Sequence, residues 1–276
     1  MTGTLLITGG GRGIGAATAR LAAAAGYRVA VNYRARQDTA EALVAELTGG
    51  GGKAAAFAAD VAEEAAVVAL FDAVEKELGP LTGLVNSAGI SPNKVRVVDF
   101  EASTLERLMA VNVIGTMLCC REAVRRMSTA RGGAGGAIVN VSSMAAVTGG
   151  RPGSCHYAAS KAAVDAFTIG LAKEVATEGV RVNSVRPGMT RTDMTEKRLA
   201  DPESHARIAA TIAMNRVGAA EEIARPILWL LSDAASFVSG ACLDASGGGF
   251  VIGAPAGAPA GAPAGAPATP SPPSGE

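Results

Sequence analysis

Residues Thr4 to Gly26 read TLLITGGGRGIGAATARLAAAAG, and this stretch decides the fold. A short apolar run leads into a glycine-rich loop, and the loop leads into alanine-rich sequence typical of a helix. Such glycines let a backbone approach a pyrophosphate, and the helix N-terminus adds N–H groups and the positive end of its dipole. The spacing fits TGxxxGxG and no Lys-Ser or Lys-Thr follows, which argues against a P-loop. We therefore predict a dinucleotide phosphate site formed by Thr8, Gly9, Gly11, Arg12, Gly13, Ile14 and Gly15.

The same alternation of short apolar runs and alanine-rich stretches continues along the chain, which is the pattern of successive βαβ units. The predicted strands are Thr4 to Thr8, Arg28 to Asn32, Ala54 to Ala58, Gly83 to Asn86, Gly136 to Val141, Val180 to Val185 and Ala241 to Asp244. The predicted helices lie near residues 13–25, 37–48, 63–78, 103–127, 157–178 and 219–232. We predict an α/β fold: one doubly wound Rossmann domain over residues 1–252, with a parallel seven-stranded sheet and helices on both faces. Ligands of such folds bind at the carboxyl ends of the strands.

The C-terminal segment, residues 253–276, has a different composition. It contains GAPAGAPAGAPAGAPA followed by TPSPPSGE. Glycine and proline at this density bury too little apolar surface to offset the conformational entropy of an ordered chain. We expect a disordered Gly/Ala/Pro-rich tail that is dispensable for catalysis.

Composition excludes several classes of function. The 276 residues carry 25 Lys plus Arg and 25 Asp plus Glu, so no basic excess favours nucleic acid or an anionic membrane surface. No apolar run approaches the ~20 residues that span a bilayer, and the N-terminus lacks the features of a signal peptide. We expect a cytoplasmic protein. The four cysteines have no CxxC spacing, and we expect them to be small core residues that remain thiols.

The end of the second predicted strand bears on cofactor choice. An NAD site normally places a carboxylate there for the ribose 2′-hydroxyl, but this sequence has Asn32, Tyr33 and Arg34. Without a carboxylate to repel a 2′-phosphate, and with Arg12 and Arg34 able to approach it, NADP(H) is favoured and NAD(H) stays possible. The ends of the third and fourth strands add Asp60, Val61, Asn86, Ala88 and Gly89 as cofactor contacts.

A tyrosine and a lysine four residues apart, Tyr157 and Lys161, occur in the stretch CHYAASKAA. Residues i and i+4 share one face of a helix, so both side chains can reach the same small volume. A free phenol has a pKa of ~10, and a nearby ammonium and an oxidised nicotinamide would lower it enough for proton transfer. In isolation, however, the pattern is more often an ordinary helix surface.

Two further polar features support the chemical interpretation. The fifth strand ends in Ser142 and Ser143, and one of these hydroxyls could donate a hydrogen bond to a substrate carbonyl oxygen. Asn112 interrupts the apolar face of the helix near 103–127, which a capping box from Ser103 to Glu106 is expected to open. A buried amide needs partners, so a proton relay to Lys161 through water and a helix-packing hydrogen bond are both open.

Together these motifs resemble the short-chain dehydrogenase/reductase family from about Thr4 to Gly249. TGGGRGIG looks like its cofactor loop, NSAG is a variant of its NNAG, and VNSVRPGMTRTDM is similar to its segment after the sixth strand. The residues that match its catalytic tetrad are Asn112, Ser143, Tyr157 and Lys161. The resemblance also implies cofactor contacts from Pro187, Gly188, Thr190 and Thr192.

The resemblance implies an oxidoreductase that transfers hydride between NADP(H) and a carbonyl or secondary alcohol on a small molecule. Tyr157 would be the general acid/base, Ser143 would hold the carbonyl oxygen, Lys161 would bind the ribose hydroxyls, and Asn112 would hold a water. No metal is implied. A catalytically silent NADP(H)-binding sensor or scaffold is the alternative, although a sensor has no physical need for the tetrad.

The sequence says less about the subfamily and the oligomeric state than about the reaction. Fourteen residues separate Ser143 from Tyr157, one more than the usual thirteen, and a loop ending in HYAASK is similar to sugar or glucose 1-dehydrogenase-like members. The thirteen-residue step is typical of 3-oxoacyl-carrier-protein reductases. The irregular, charged segment Met189 to Arg216 is expected to choose the substrate and to close over it as a lid. Its positive charge has two interpretations: a solvated charged helix, or a preference for an anionic or polyol substrate conferred by Arg191, Lys197, Arg198, Arg207 and Arg216. The resemblance implies a homotetramer or homodimer, with residues 162–175 either at that interface or in the core.

Overall fold

The computed structural model describes residues 3–249, and it confirms the doubly wound α/β fold. The strands are β1 Thr4–Thr8, β2 Arg28–Tyr33, β3 Ala54–Ala58, β4 Leu81–Asn86, β5 Gly136–Val141, β6 Val180–Pro187 and β7 Cys242–Ala245. They form one parallel sheet in the order β3-β2-β1-β4-β5-β6-β7. The strand order reverses between β1 and β4, which is where ligands of such folds bind. The predicted tail and the predicted domain limit at residue 252 lie outside the described residues.

Helices cover both faces of the sheet. They are α1 Gly13–Ala24, α2 Gln37–Gly49, α3 Glu64–Leu78, α4 Ala102–Met109, α5 Gly115–Met127, α6 Ala145–Thr148, α7 Cys155–Glu174, α8 Asp193–Leu199, α9 Pro202–Ala209 and α10 Ala220–Leu231. One core packs α3, α5 and α7 against the sheet, and a second core packs α1, α2 and α10 against the opposite face. Both faces of the strands are therefore buried, which explains their nearly continuous apolar sequences.

The predicted helix over residues 103–127 departs from a regular helix in its middle. Between α4 and α5 the backbone makes a π-helical turn, Ala110–Ile114, which contains Asn112. The expected capping box at Ser103 is wrong: the helix begins one residue earlier, at Ala102, and Glu101 precedes it without a side-chain cap. Single π turns occur frequently at functional sites.

The segment Met189 to Arg216 is less irregular than its sequence indicates. It forms two short helices, α8 and α9, and the Asp201 carboxylate caps α9 by accepting a hydrogen bond from the Ser204 backbone at 2.8 Å. Its charged residues mostly face solvent, in agreement with the solvated-helix alternative. The expectation that all four cysteines lie in the core holds for Cys119 and Cys120, whereas Cys155 is exposed.

The two-sided core yields a stability prediction. Val74 on α3 is fully buried, whereas Val98, in the single 3₁₀ turn Val97–Asp99, is 77% exposed. Val74→Ala removes two buried methylene equivalents and leaves a small cavity, so we expect a loss of about 2 kcal/mol in the free energy of unfolding. Val98→Ala is the matched control and should change it by less than about 0.5 kcal/mol in urea denaturation. Equal effects of the two substitutions would contradict the assigned core.

Candidate active site

A cavity of about 870 Å³ opens at the carboxyl ends of the central strands. Its lining begins in the loop after β1, with Gly9 and Arg12, and continues with Gly89 after β4. Ser143 after β5 and Gly188 after β6 complete this edge. The cavity therefore lies at the switch point of the sheet.

The glycine loop has a shape that side chains would destroy. Gly9 and Gly13 have φ angles of +62° and +53°, which favour glycine, and a Cβ on Gly15 would lie 2.5 Å from the Gly9 carbonyl oxygen. Helix α1 begins at Gly13, and the preceding Arg12 makes no side-chain cap. The first N–H groups of α1 thus have no capping side chain, which suits binding of a pyrophosphate. The residues present fit a dinucleotide.

Three predicted cofactor residues make hydrogen bonds within the protein, and two of them, Thr8 and Asn32, lie beside the glycine loop. The Thr8 hydroxyl accepts a hydrogen bond from the Ala88 backbone at 3.2 Å, which joins the ends of β1 and β4. Asn32 accepts from the Gly9 N–H at 3.3 Å, and its amide donates to the carbonyls of Phe57 and Ala59. Asn32 still forms part of the cavity wall, but Thr8 does not.

The third of these residues is Asn86. Its side chain is buried and donates to the Asn140 amide oxygen at 2.9 Å, which ties β4 to β5. Asn86 is absent from the described lining of the cavity. Sequence position at a strand end predicted these asparagines as cofactor contacts, but their burial directs their amides to neighbouring strands.

Arginines surround the cavity near the end of β2. Tyr33 is the last residue of this strand, Arg34 and Arg36 follow it, and Arg12 lies on the facing loop. The Arg34 guanidinium is 3.7 Å from the Asp60 carboxylate, and that of Arg12 is 3.7 Å from Asp193. All of these groups except Asp60 are well exposed, and such long surface ion pairs contribute little stability. Both guanidinium groups can therefore reorient toward a phosphate.

Asp60 is fixed by neighbours on two sides. Burial opposes its ionisation, but the Ala62 N–H and the Arg107 guanidinium, 2.6 Å away, hold the pKa of the Asp60 carboxyl below its ordinary value. Arg34 acts in the same direction. The sequence identified Asp60 but not Arg107, whose helix position carries no local motif.

Helix α7 brings Tyr157 and Lys161 to the same part of the cavity. The Lys161 ammonium donates to the Val141 carbonyl at 2.8 Å, and its nitrogen lies 6.0 Å from the centre of the Tyr157 ring. Burial lowers the pKa of Lys161 to about 8, and the Asp165 carboxylate partly offsets this. Lys161 is therefore held at the site by a backbone carbonyl.

The Tyr157 phenol has a raised pKa, chiefly because it is buried. A hydrogen bond with Ser143 and the positive charge of Arg198 act in the opposite direction but do not overcome burial. From the sequence, we expect an ammonium and an oxidised nicotinamide to lower the pKa of Tyr157. In the protein without a cofactor, burial raises it. At neutral pH the phenol carries its proton, which suits a proton donor.

The two serines after β5 have different roles. The Ser142 hydroxyl is buried and donates to the Lys161 carbonyl at 3.1 Å. The Ser143 hydroxyl lies beside Tyr157 and accepts from the Ala145 N–H at 3.1 Å. Ser143 is therefore the hydroxyl available for a carbonyl oxygen, and Ser142 attaches α7 to the strand end.

Asn112 is completely buried in the π turn. Its amide oxygen accepts from the Ile90 N–H at 2.8 Å, and its amide nitrogen donates to the Ile90 carbonyl at 3.0 Å and to Ser160 at 3.1 Å. The helix-packing alternative therefore accounts for this side chain directly. Among the described hydrogen bonds, none joins Asn112 to Lys161.

Comparison with known proteins agrees with this geometry. The family model described as "Enoyl-(Acyl carrier protein) reductase" matches residues 9–249. The "Uncharacterized oxidoreductase YgfF" of Escherichia coli is 48% identical over 243 residues, covering 88% of this chain and 98% of that protein. A 3-oxoacyl-[acyl-carrier-protein] reductase of Synechocystis is 37% identical over 248 residues, covering 88% of this chain and 95% of that protein.

A solved structure of a short-chain dehydrogenase from Burkholderia cenocepacia in complex with NADP is also similar. It has a TM-score of 0.81 and 33% sequence identity, and the match covers 89% of this chain and 97% of that chain. This chain belongs to the short-chain dehydrogenase/reductase family. It is an oxidoreductase that binds a nicotinamide cofactor and acts on a small molecule. Within residues 3–249, no helix has the length and apolar character needed to cross a bilayer.

Most residues predicted from the short-chain dehydrogenase/reductase motifs line the cavity. They are Gly9, Gly11, Arg12, Gly13, Ile14, Asn32, Tyr33, Arg34, Asp60, Val61, Ala88, Gly89, Ser143, Tyr157, Lys161, Pro187, Gly188, Thr190 and Thr192. Thr8, Gly15, Asn86 and Asn112 are instead buried behind it.

Sequence reasoning missed three arginines that line the cavity: Arg36, Arg107 and Arg151. It considered Arg198 only as one of several cations in the segment Met189 to Arg216. Arg36 follows Arg34 by two residues, so the repeated Arg-Ala-Arg spacing could have indicated it. Arg151 and Arg198 lie far apart in sequence, and only the packing of their loops places both at the cavity.

The glycine loop yields a binding prediction. Gly15→Ala would place a methyl group 2.5 Å from the Gly9 carbonyl oxygen and 2.9 Å from the Gly10 Cα, so the loop and α1 must separate. We expect at least about tenfold weaker dinucleotide binding, measured by NADPH fluorescence titration, because backbone contacts to the pyrophosphate are displaced. Gly49→Ala is the control, since a Cβ there meets no atom within 4 Å. Unchanged affinity in Gly15→Ala would contradict the assigned cradle.

Proposed function

We propose that this protein is an NADP(H)-dependent oxidoreductase that interconverts a carbonyl group and a secondary alcohol, with Tyr157 as general acid/base. The observation that carries the proposal is the shared cavity: Ser143, Tyr157 and Lys161 line the same cavity as the glycine loop and the arginines after β2. A dinucleotide held by the glycine loop and by these arginines would extend along the cavity toward Tyr157. Ketones, keto sugars and 3-oxoacyl compounds are the candidate substrates.

The cofactor would be held by the glycine loop, by Asp60 and Val61 at the adenine, and by Lys161 and Thr192 at the nicotinamide end. When bound, the reduced nicotinamide supplies the hydride for carbonyl reduction. The protein supplies position and a proton. The Ser143 hydroxyl hydrogen-bonds the carbonyl oxygen, and the Tyr157 phenol donates its proton to that oxygen as negative charge develops.

Lys161 supports both tasks. Its ammonium, anchored on the Val141 carbonyl, retains two further N–H groups that can donate to ribose hydroxyls. Its positive charge beside the phenol stabilises the phenolate that remains after proton transfer. Asn112 would act through position, because its amide holds the chain at Ile90 against α7.

A preference for NADP(H) over NAD(H) is supported by charge at the end of β2. Arg12, Arg34 and Arg36 line this part of the cavity, where an NAD site would present a carboxylate. Guanidinium groups match the geometry of a phosphate and form charge-assisted hydrogen bonds with it. The similar Burkholderia cenocepacia structure is described as a complex with NADP, which agrees with this proposal.

We propose that the protein self-associates, because large apolar side chains are exposed on its surface. Ile169 on α7 and Trp229 on α10 are 38% and 43% exposed in the single chain, and Phe237 is fully exposed. Phe167 and Leu171, for which the sequence left an interface and the core open, are partly buried against the core. A homotetramer or homodimer would cover the exposed apolar groups.

The general acid/base role predicts a selective loss of turnover. With a substrate found by screening NADPH oxidation against ketones, keto sugars and 3-oxoacyl thioesters, Tyr157→Phe should lower kcat by about 10²- to 10⁴-fold, because the proton donor is lost. NADPH affinity should change less than about twofold, since the ring remains. Tyr27→Phe, at a buried tyrosine outside the described cavity lining, is the matched control. Wild-type turnover in Tyr157→Phe would refute the assignment.

Phosphate recognition predicts a cofactor-selective effect. Arg34→Ala should weaken NADPH by about tenfold or more, since a charge-assisted hydrogen bond to the 2′-phosphate is lost, and NADH by less than about twofold. Dissociation constants from fluorescence titration measure both. Arg20→Ala, at an exposed arginine paired with Glu46, is the control. Equal losses for the two cofactors would remove Arg34 from phosphate recognition.

A further inference from the structure

The part of the cavity near Tyr157 carries positive charge that the cofactor does not explain. Lys94 follows β4, Arg151 precedes α7 and Arg198 lies on α8, and all three line the cavity. We call these three residues the cationic rim. They come from three separate segments of the chain, so the fold, and not local sequence, places their charges around one opening.

Two contacts fix how these segments meet. The Val95 N–H donates to the Gly153 carbonyl at 3.1 Å, and a Cβ on Gly153 would lie 3.1 Å from the Lys94 Cβ. The loop that carries Lys94 is therefore packed on the loop that carries Arg151. Arg198 lines the same cavity as Arg151 and Tyr157. Its positive charge lowers the pKa of both groups; burial acts in the same direction on Arg151 and in the opposite direction on Tyr157.

Two residues of the rim, Lys94 and Arg198, take part in none of the ion pairs among residues 3–249. Among the described lining residues, the acidic ones are Asp60 and Asp193. Their ion-pair partners are Arg107 and Arg34 for Asp60 and Arg12 for Asp193, so neither carboxylate pairs with Lys94 or Arg198. An anionic ligand at this opening would compensate the charge of these two residues.

Arg198 also differs from the other arginines of its segment. Arg191 is 3.9 Å from Glu196, and Arg207 is 2.7 Å from Glu203. Arg198 takes part in none of the ion pairs among residues 3–249. It lines the cavity, whereas Arg191 and Arg207 are absent from the described lining. Its guanidinium is thus available to a ligand that enters beside Tyr157.

Three methionines line the cavity on the segments next to Ser143 and Arg198. Met144 after β5, Met189 after β6 and Met194 on α8 line the cavity. Thioether side chains are apolar and adaptable, and they favour contact with an aliphatic chain over a polyol. The site therefore combines an apolar wall with a cationic end.

We propose that the substrate is a small anionic carbonyl compound whose carboxylate or phosphate binds Arg198 and Arg151 while its carbonyl lies at Ser143 and Tyr157. The inference rests on the proposed function and narrows its substrate class. The guanidinium pair orients the anion, and the carbonyl is then directed to the proton donor. Lys94 adds a long-range attraction at the cavity mouth.

Matched substrate pairs test the proposal with the full-length protein and saturating NADPH. They are 4-oxopentanoate against its methyl ester, and dihydroxyacetone phosphate against dihydroxyacetone. We expect at least about tenfold higher kcat/KM for one or both anions than for the neutral partner, because charge-assisted hydrogen bonds orient them. The pair with the larger ratio distinguishes a carboxylate from a phosphate.

Variants then assign the preference to the rim. Arg198→Gln and Arg151→Gln should each lower the ratio of kcat/KM for the preferred anion to that for its neutral partner by at least about tenfold; the ratio cancels any effect on Tyr157 that both substrates share. Arg207→Gln removes a charge from the same segment outside the described lining and should preserve the ratio. A ratio unchanged in Arg198→Gln would overturn the proposal.

The two proposals fail in different ways. Reduction of neutral and anionic partners at equal kcat/KM overturns the anion site and leaves the oxidoreductase function intact. If no carbonyl compound is reduced, the proposed function fails, and calorimetry with the NADP⁺-saturated protein decides the anion site separately. Binding of 4-oxopentanoate or dihydroxyacetone phosphate that Arg198→Gln abolishes supports the site, and absence of binding overturns it.

Discussion

The positions of Tyr157 and Lys161 in the cavity depend on a row of buried polar contacts that ties α7 to strands β5 and β6. Lys161 donates to the Val141 carbonyl, and its own carbonyl accepts from Ser142. One and two turns further on, the Asp165 carboxylate accepts from Ser184 and Arg186, and Thr168 accepts from Asn140. These residues recur at helical spacing on one face of α7. Directional hydrogen bonds along one face of a helix fix its rotation about its own axis more tightly than apolar packing does. The bonds of α7 therefore keep Tyr157 facing the cavity.

The same arrangement explains the electrostatics of the site. A lysine held by a carbonyl and buried against the sheet has a lowered pKa, and the buried phenol beside it has a raised one. Both shifts oppose charge, and both result chiefly from burial. The protein by itself therefore keeps the phenol protonated, which suits donation during carbonyl reduction. Oxidation of an alcohol would require Tyr157 to be ionised. Ser143 and Arg198 favour this by lowering the pKa of the phenol, but burial raises that pKa by more.

The sequence predicted the fold well because strand and helix signals in a parallel α/β protein are local. All seven strands lie within two residues of their expected bounds, since apolar runs buried on both faces have clear ends. The π turn at Asn112 was invisible, because it changes hydrogen bonding without changing the apolar pattern. The hydrogen-bond partners of Asn32 and Asn86 could not be predicted, because a strand-end position does not reveal whether an amide faces the cavity or a neighbouring strand. The position of Arg198 at the cavity required the tertiary structure, since Arg151 and Tyr157 lie more than forty residues away from it in sequence.

Positive charge lies at both ends of the cavity, but only one of the two charged ends can be recognised from local sequence. At one end, Arg12, Arg34 and Arg36 lie on segments adjacent to the glycine loop or β2, so local motifs lead to them. At the other end, the cationic rim exists only because the loop after β4 packs on the loop before α7 and because α8 returns to the same opening. In the proposed function, the first set binds the dinucleotide and the second set binds the anion of the substrate. The proposed substrate site of this protein therefore depends on long-range packing, whereas its proposed cofactor site depends on nearly contiguous sequence.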